Sequence, residues 1–215
     1  MKTNIDTGEF RAFKKIPRLF RDIIITEKLD GTNAQLYIED IPYQEYTSRQ
    51  EHVATVRTSV YADNGFGPDG FVRVLRAGSR TRWITPENDN FGFAAWAYDN
   101  ANELLQLGPG HHFGEWWGRG VQRGYGLTER RFSLFNTTRW EGTPPAPCSV
   151  VPVLYSGVND TAAIVDALCR LREGGSLAAP GYMNPEGIIV YHVASNYLFK
   201  VTLDNDGTPK STLQN

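Results

Sequence analysis

Lys28 lies in the stretch Glu27-Lys28-Leu29-Asp30-Gly31-Thr32-Asn33, directly after the apolar run Ile23-Ile24-Ile25. A lysine at the end of a buried strand, two residues before an Asp-Gly turn, is either a solvated turn residue or a nucleophile. A free lysine amine has a pKa near 10.4, so only about one in a thousand is uncharged near neutral pH. Nucleophilic use therefore requires desolvation or neighbouring positive charge. Lys200 sits inside the strand-like run from Leu198 to Leu203, where half-buried apolar neighbours call for an anionic partner or a ligand phosphate. Glu115 and Glu186 each stand beside a glycine at the edge of a strand-like run.

These residues need rigid mounts. Residues 22–38 predict two strands forming a hairpin around Asp30-Gly31, with Lys28 near the bend. Residues 39–70 are polar and turn-rich and predict strand fragments joined by exposed loops. Phe93, Trp96, Ala97, Ala101, Leu104 and Leu105 recur at helical spacing, predicting a helix over 89–107 that Asp89 or Asn90 caps and Gly108-Pro109 ends. A second helix follows Asp160, buries Ile164, Ala167, Leu168 and Leu171 against a sheet, and stops at Gly174-Gly175. The runs HHFGEWW, RRFSLFN, SVVPVLY, EGIIVYH and NYLFKVTL each predict a strand. Strands outnumber helices and do not alternate with them, so the expected class is α+β with mainly antiparallel sheets flanked by helices. Trp116 and Trp117 are adjacent, so on a strand they face opposite ways and at least one packs in the core.

A chain of 215 residues suits a single domain spanning its whole length. Hydrophobic content of 40% with 21% charged residues excludes global disorder, and a formal charge of −2 excludes a globally cationic nucleic-acid binder. Local basic patches remain: Arg11, Lys14, Lys15, Arg18 and Arg21 form one, and Arg119, Arg123, Arg130 and Arg131 another, each a candidate phosphate-tracking surface. Cys148 and Cys169 make no disulfide framework, no stretch has signal-peptide or membrane-spanning character, and a reducing, cytoplasmic setting is expected. The scattered histidines, His52, His111, His112 and His192, make no metal motif. The glycines of GRGVQRGYG lack the lysine and following helix of a phosphate loop, so a loop between strands is expected.

Read in order, the chain gives EKLDGTN, GSRTR, FGEWWGRGVQRGYG, RRFSLFN, PEGIIVY and FKVTL. This series resembles the covalent nucleotidyltransferases, the superfamily of ATP-dependent DNA ligases, RNA ligases and mRNA capping enzymes. FGEWWGRGVQRGYG with RRFSLFN is most similar to the phage-type RNA ligases that join ends in duplex RNA. The resemblance runs from about Arg18 to Lys200. It implies that Lys28 attacks the α-phosphorus of ATP and becomes adenylated, with Glu27 and Asp30 reading the adenine amino group and organising the site. It implies further that Arg80 or Arg82 contacts the ribose or the incoming terminal phosphate. By the same resemblance Glu115 holds the ribose hydroxyls, Phe135 stacks on adenine, Glu186 serves the divalent metal, and Lys200 neutralises the α-phosphate.

Those residue types suit the reaction on chemical grounds too, because phosphoryl transfer needs an in-line nucleophile and cations on developing negative charge. Mg²⁺ or Mn²⁺ on a glutamate would add such charge and disfavour a nearby ammonium. Two features depart from the pattern. The second lysine of the last motif is replaced by Thr202, and no appended oligonucleotide-binding domain is expected. The expected activity is an ATP-dependent RNA ligase joining 5′-phosphate and 3′-hydroxyl RNA ends, as a monomer, with end recognition left to this domain or an accessory protein. A small DNA ligase, or a nucleotide- or RNA-binding module without catalysis, are the alternatives.

Overall fold

The computed structural model describes residues 10, 12–42, 44–45, 57–61, 71–141 and 143–204. Two sheets carry the fold. A four-stranded sheet has the order β11-β10-β1-β9, from β1 (Asp22–Lys28), β9 (Val153–Val158), β10 (Gly187–His192) and β11 (Tyr197–Thr202). A larger sheet runs β3-β4-β2-β6-β7-β8, from β2 (Thr32–Pro42), β3 (Arg57–Tyr61), β4 (Phe71–Ser79), β6 (Gly110–Gly118), β7 (Arg130–Leu134) and β8 (Ser149–Val150). The two-residue β5 (Trp83–Ile84) pairs with β4. Every named strand pairing is antiparallel except β7 with β8, in agreement with the expected α+β class.

Strand alternation gives each sheet one core face and one face for the site. In the small sheet Ile23, Ile25, Ile188 and Val190 pack against Ala167 and Leu171 of a helix, Thr161–Gly174 (α3). Asp160 caps α3 by accepting the Ala162 N–H, and Gly175, at φ 76°, ends it, as the sequence predicts. The opposite face bears Ile24, Thr26, Lys28, Gly187, Ile189 and Lys200, which follow from the registers Thr26↔Ile189 and Ile189↔Lys200. In the large sheet Ala34, Leu36, Ile38, Trp116 and Phe132 pack beneath Phe93, Ala97 and Leu104.

Four expectations are corrected. The strands flanking Asp30-Gly31 form no hairpin: β1 belongs to the small sheet and β2 to the large one, so residues 29–31 cross between sheets. Leu29 is buried in that crossing with Trp117 and Tyr125, which a solvated hairpin bend would not allow. Second, SVVPVLY is two short strands in different sheets; Pro152 has no N–H for a ladder, and its carbonyl instead accepts the Glu27 N–H at 2.9 Å. Third, the helix over 89–107 starts at Phe93 and breaks into Phe93–Asp99 (α1), Ala101–Leu104 (α2) and a 3₁₀ turn, Leu105–Leu107. The break falls at Asn100, whose side chain donates to the Trp96 carbonyl at 2.7 Å and competes with the helical ladder. Asp89 still caps the start, accepting the N–H groups of Ala94 and Ala95 at 2.8 and 3.0 Å. Fourth, the half-buried setting expected for Lys200 holds only on one side: Val201 and Leu203 are half-buried against the small-sheet core, but β11 is a sheet edge on which Leu198, Phe199 and Lys200 are all exposed.

The expected 39–70 region is partly visible, as the end of β2 and as β3; residues 46–56 and 62–70 lie outside the described residues, as do Arg11 and His52. Lys14, Lys15, Arg18 and Arg21 are exposed, and Cys148 and Cys169 are both free. Among the described residues no helix is long and apolar enough to cross a membrane.

Candidate active site

The crossing from β1 to β2 brings three distant segments together. Lys28 ends β1 opposite Gly187, and its Nζ pairs with Glu186 Oε2 at 2.5 Å. The next turn presses Gly31 onto β6: a Cβ there would collide with the Trp116 carbonyl and come within 2.7 Å of the Trp117 Cβ. Only glycine allows that approach, and the approach lets the Gly31 N–H donate to Glu115 Oε1 at 3.1 Å. Asn33 fixes the other oxygen, donating from Nδ2 to Oε2 at 3.0 Å. Lys28, Glu186 and Glu115 thus share one charged cluster.

Burial pushes the Glu115 carboxyl up to about 7, against the pull of Lys28 and of the Asn33 and Gly31 hydrogen bonds, with Glu186 adding to the rise. Its folded value lies above the unfolded one, so the protein takes up a proton on folding. The associated stability is fully present below about 4.5 and is lost as pH rises towards about 7. Urea midpoints measured without nucleotide should fall across that window, by on the order of 2 kcal/mol of stability, and Glu115→Gln should flatten the slope. A slope unchanged in that variant would assign the titration elsewhere.

Asp30 is positioned by side chains from the 119–129 loop. Its N–H donates to the Tyr125 hydroxyl at 2.9 Å, and its carboxylate accepts from Arg123 Nε at 3.0 Å. The same guanidinium donates to the Asn184 carbonyl and side chain at 3.0 Å each, to the Pro185 carbonyl at 3.4 Å and to Asp204 at 3.3 Å. Arg123 therefore ties the lysine loop to the segment before Glu186 and to the end of β11. It is a structural fork, not the phosphate-tracking arginine that its basic neighbours suggested. Arg131 pairs with Glu129 at 2.7 Å, and Arg130 donates to the Arg119 and Phe91 carbonyls, so that patch is largely engaged. Sequence reasoning missed Arg123, Tyr125 and Asn33 as site residues. The one local signal was the left-handed glycine pattern of GRGVQRGYG, in which Gly120, Gly124 and Gly126 all have positive φ.

The remaining residues stand apart. Glu27 is buried, and its Oε2 accepts the N–H groups of Leu177 and Ala178 at 2.8 and 3.1 Å. Its Oε1 is buried without a hydrogen-bond partner, and burial raises its pKa. Arg82 donates to the Asn88 and Asp89 carbonyls at 3.0 and 3.3 Å, whereas Arg80 is exposed on the β4–β5 turn. Phe135 follows β7, with its N–H on the Phe113 carbonyl at 2.9 Å and its ring 41% exposed. Lys200 shares the face of Lys28 but makes no ion pair among the described residues. Thr202 donates to the Asp204 carbonyl and supplies no charge. Both tryptophans are buried on opposite faces: Trp116 Nε1 donates to the Phe91 carbonyl and Trp117 Nε1 to Ser133 Oγ. His112 is likewise structural, bonded to the Gly108 carbonyl at 2.8 Å. A cavity of about 760 Å³ beside Ile24, Trp140, Cys148 and Val153 includes none of the clustered charges and is set aside as a reaction centre.

A family model described as RNA ligase matches residues 21–202, from the first strand to the last. The chain belongs to the RNA ligase family. Its fold is similar to Naegleria gruberi RNA ligase solved as a variant with ATP and manganese, at 15% identity and a TM-score of 0.50, covering 85% of this chain and 49% of that one. A second variant of that ligase, with AMP and manganese, gives 15% identity and a TM-score of 0.50, covering 86% and 50%. This RNA ligase family member thus spans about half the length of the Naegleria gruberi protein. No curated protein sequence matches it.

Proposed function

We propose that this chain is the nucleotidyltransferase domain of an ATP-dependent RNA ligase with Lys28 as its nucleophile. The supporting observation is the convergence of Lys28, Glu186 and Glu115 at the crossing between the sheets. Lys28 Nζ attacks the α-phosphorus of ATP; a P–N bond forms and the bond to the pyrophosphate oxygen breaks. AMP then passes to an RNA 5′-phosphate, and a 3′-hydroxyl displaces it to leave a phosphodiester.

Glu115 accepts the ribose hydroxyls. Phe135 supplies an exposed ring for adenine, and the orphaned Glu27 Oε1 supplies an acceptor for its amino group. Arg80, exposed at the rim, is the arginine for ribose or terminal phosphate, since the Arg82 guanidinium is held by carbonyls of its own turn. Lys200 is the cation for the α-phosphate, an exposed amine on the face of Lys28.

Glu186 fits Mg²⁺ or Mn²⁺, which take one or two carboxylates plus phosphate oxygens. Among the described residues no group of three or more His, Cys, Asp or Glu side chains offers an all-protein cage, consistent with a metal held partly by nucleotide. When bound, the ion supplies positive charge to phosphate oxygens. Glu186 has a second role as switch. Paired with Glu186, the Lys28 nitrogen is engaged by the carboxylate and cannot attack; a cation held by Glu186 would loosen that pair, and the amine would give up its proton to solvent before attack.

Intact mass spectrometry after incubation with ATP and either metal tests the reading. One added adenylyl group, removed by pyrophosphate, is the expected result; ATP bound intact with no adduct under either metal would instead mark a binding module. Sealing of matched RNA and DNA nicks then separates the two ligase classes.

A further inference from the structure

The large sheet's site face continues beyond Glu115 as a row of aromatic rings. His111 and Phe113 precede Glu115 by four and two residues on β6 and share its face. Their rings are stacked, with centroids 5.6 Å apart and planes within 5°. Tyr37, opposite His111 on β2, lies 4.5 Å from it, and Trp83 lies 6.0 Å from Tyr37. Core packing does not explain the row, because the core of this sheet is on the other face, at Ala34, Leu36 and Ile38. Phe113 is 53% exposed and Trp83 42%. Two cations flank its Trp83 end. Arg80 is exposed, Arg82 is held by carbonyls, and neither makes an ion pair among the described residues. Along β6, His111 lies about 13 Å from Glu115, the reach of a few nucleotides.

We infer that Trp83, Tyr37, His111 and Phe113 form a stacking platform for a single RNA strand, the one whose 3′-hydroxyl must reach the adenylated 5′-phosphate. This rests on the ligase reading. Successive exposed rings beside unneutralised arginines are the chemistry that holds single strands, since every base offers a π face and every nucleotide a phosphate. A protein partner would find the same rings, but the exposed cation Arg80 beside them favours a polyanion. Tyr37 and His111 brace each other and Phe113, so the platform is preorganised before the strand arrives.

The test uses the full chain and a 3′-hydroxyl RNA of about 12 nucleotides, labelled at its 5′ end, followed by fluorescence anisotropy. Trp83→Ala and the double variant His111→Ala/Phe113→Ala should each raise the Kd about tenfold or more, with the deficit persisting at high salt. Trp83→Phe with Phe113→Tyr should restore binding to within about threefold, because the π faces return. Adenylation from ATP, measured on the same preparations, should stay unchanged in all of them. Unchanged RNA affinity in the alanine variants, or no measurable binding by the unaltered chain, overturns the platform. Absence of adenylation in the unaltered chain would instead overturn the ligase reading, so the two failures are separate.

Discussion

A Lys28→Ala protein incubated with α-labelled ATP and Mg²⁺ or Mn²⁺ should capture no label, a loss of at least about a thousandfold against the unaltered chain. The expectation follows from placement: Lys28 ends a strand buried on one face, its amine is aimed at Glu186, and no other described lysine shares that cluster. Truncation also leaves Glu186, a side chain only 8% exposed, without its partner, so some stability is lost as well. Two controls separate chemistry from folding. Equilibrium ATP binding, followed by ligand-induced protection against urea, should survive in Lys28→Ala, whereas covalent capture should not. Lys28→Arg retains a cation for Glu186 but offers no nucleophilic amine, so it should fold like the unaltered chain and still capture nothing. Label retained by either variant would show that another group is the nucleophile.

Much of the fold was legible because period-2 apolar patterns bounded by glycine, proline and asparagine are a local signal. β7, β10 and β11 each fall within the runs that predict them, β6 exceeds its run by one residue at each end, and α3 starts and stops at its expected cap residues. What the sequence hid was partnership between distant elements. An Asp-Gly turn looks the same whether the next strand folds back on the last one or departs to another sheet. Here Leu29 and Gly31 decide the matter through contacts with Trp117 and Trp116, more than 80 residues away. The same limit explains Lys200. Two of its apolar neighbours, Val201 and Leu203, are half-buried as expected, but among the described residues β11 has no strand partner on its outer side, so Leu198 and Phe199 are left exposed. The motif order located Lys28, Glu115 and Glu186, which do converge, yet nothing local in Arg123 distinguishes it from Arg119 or Arg130.

Arg123→Ala should slow adenylation by about a hundredfold, the second-largest effect expected, though no atom of Arg123 needs to touch ATP. Its guanidinium makes five hydrogen bonds to four residues: Asp30 in the lysine loop, Asn184 and Pro185 before Glu186, and Asp204 after β11. Removing it unties the two segments whose relative position sets the Lys28–Glu186 distance. Misplacement of reacting groups by about 1 Å is enough for such a loss. Because the fork positions the nucleophile and does not bind nucleotide, the loss should fall on kcat, with KM for ATP changed by less than about threefold. Arg123→Lys keeps the charge but cannot reach Asp30, Asn184 and Asp204 together from one planar group, so it should recover only a minor part of the rate. Added guanidinium ion at low millimolar concentration should partly restore Arg123→Ala and leave Lys28→Ala inert. That rescue is what a general loss of stability would not produce. Adenylation by Arg123→Ala within threefold of the unaltered rate would confine Arg123 to folding and leave the pairing of Lys28 with Glu186 to the register of β1 with β10 alone.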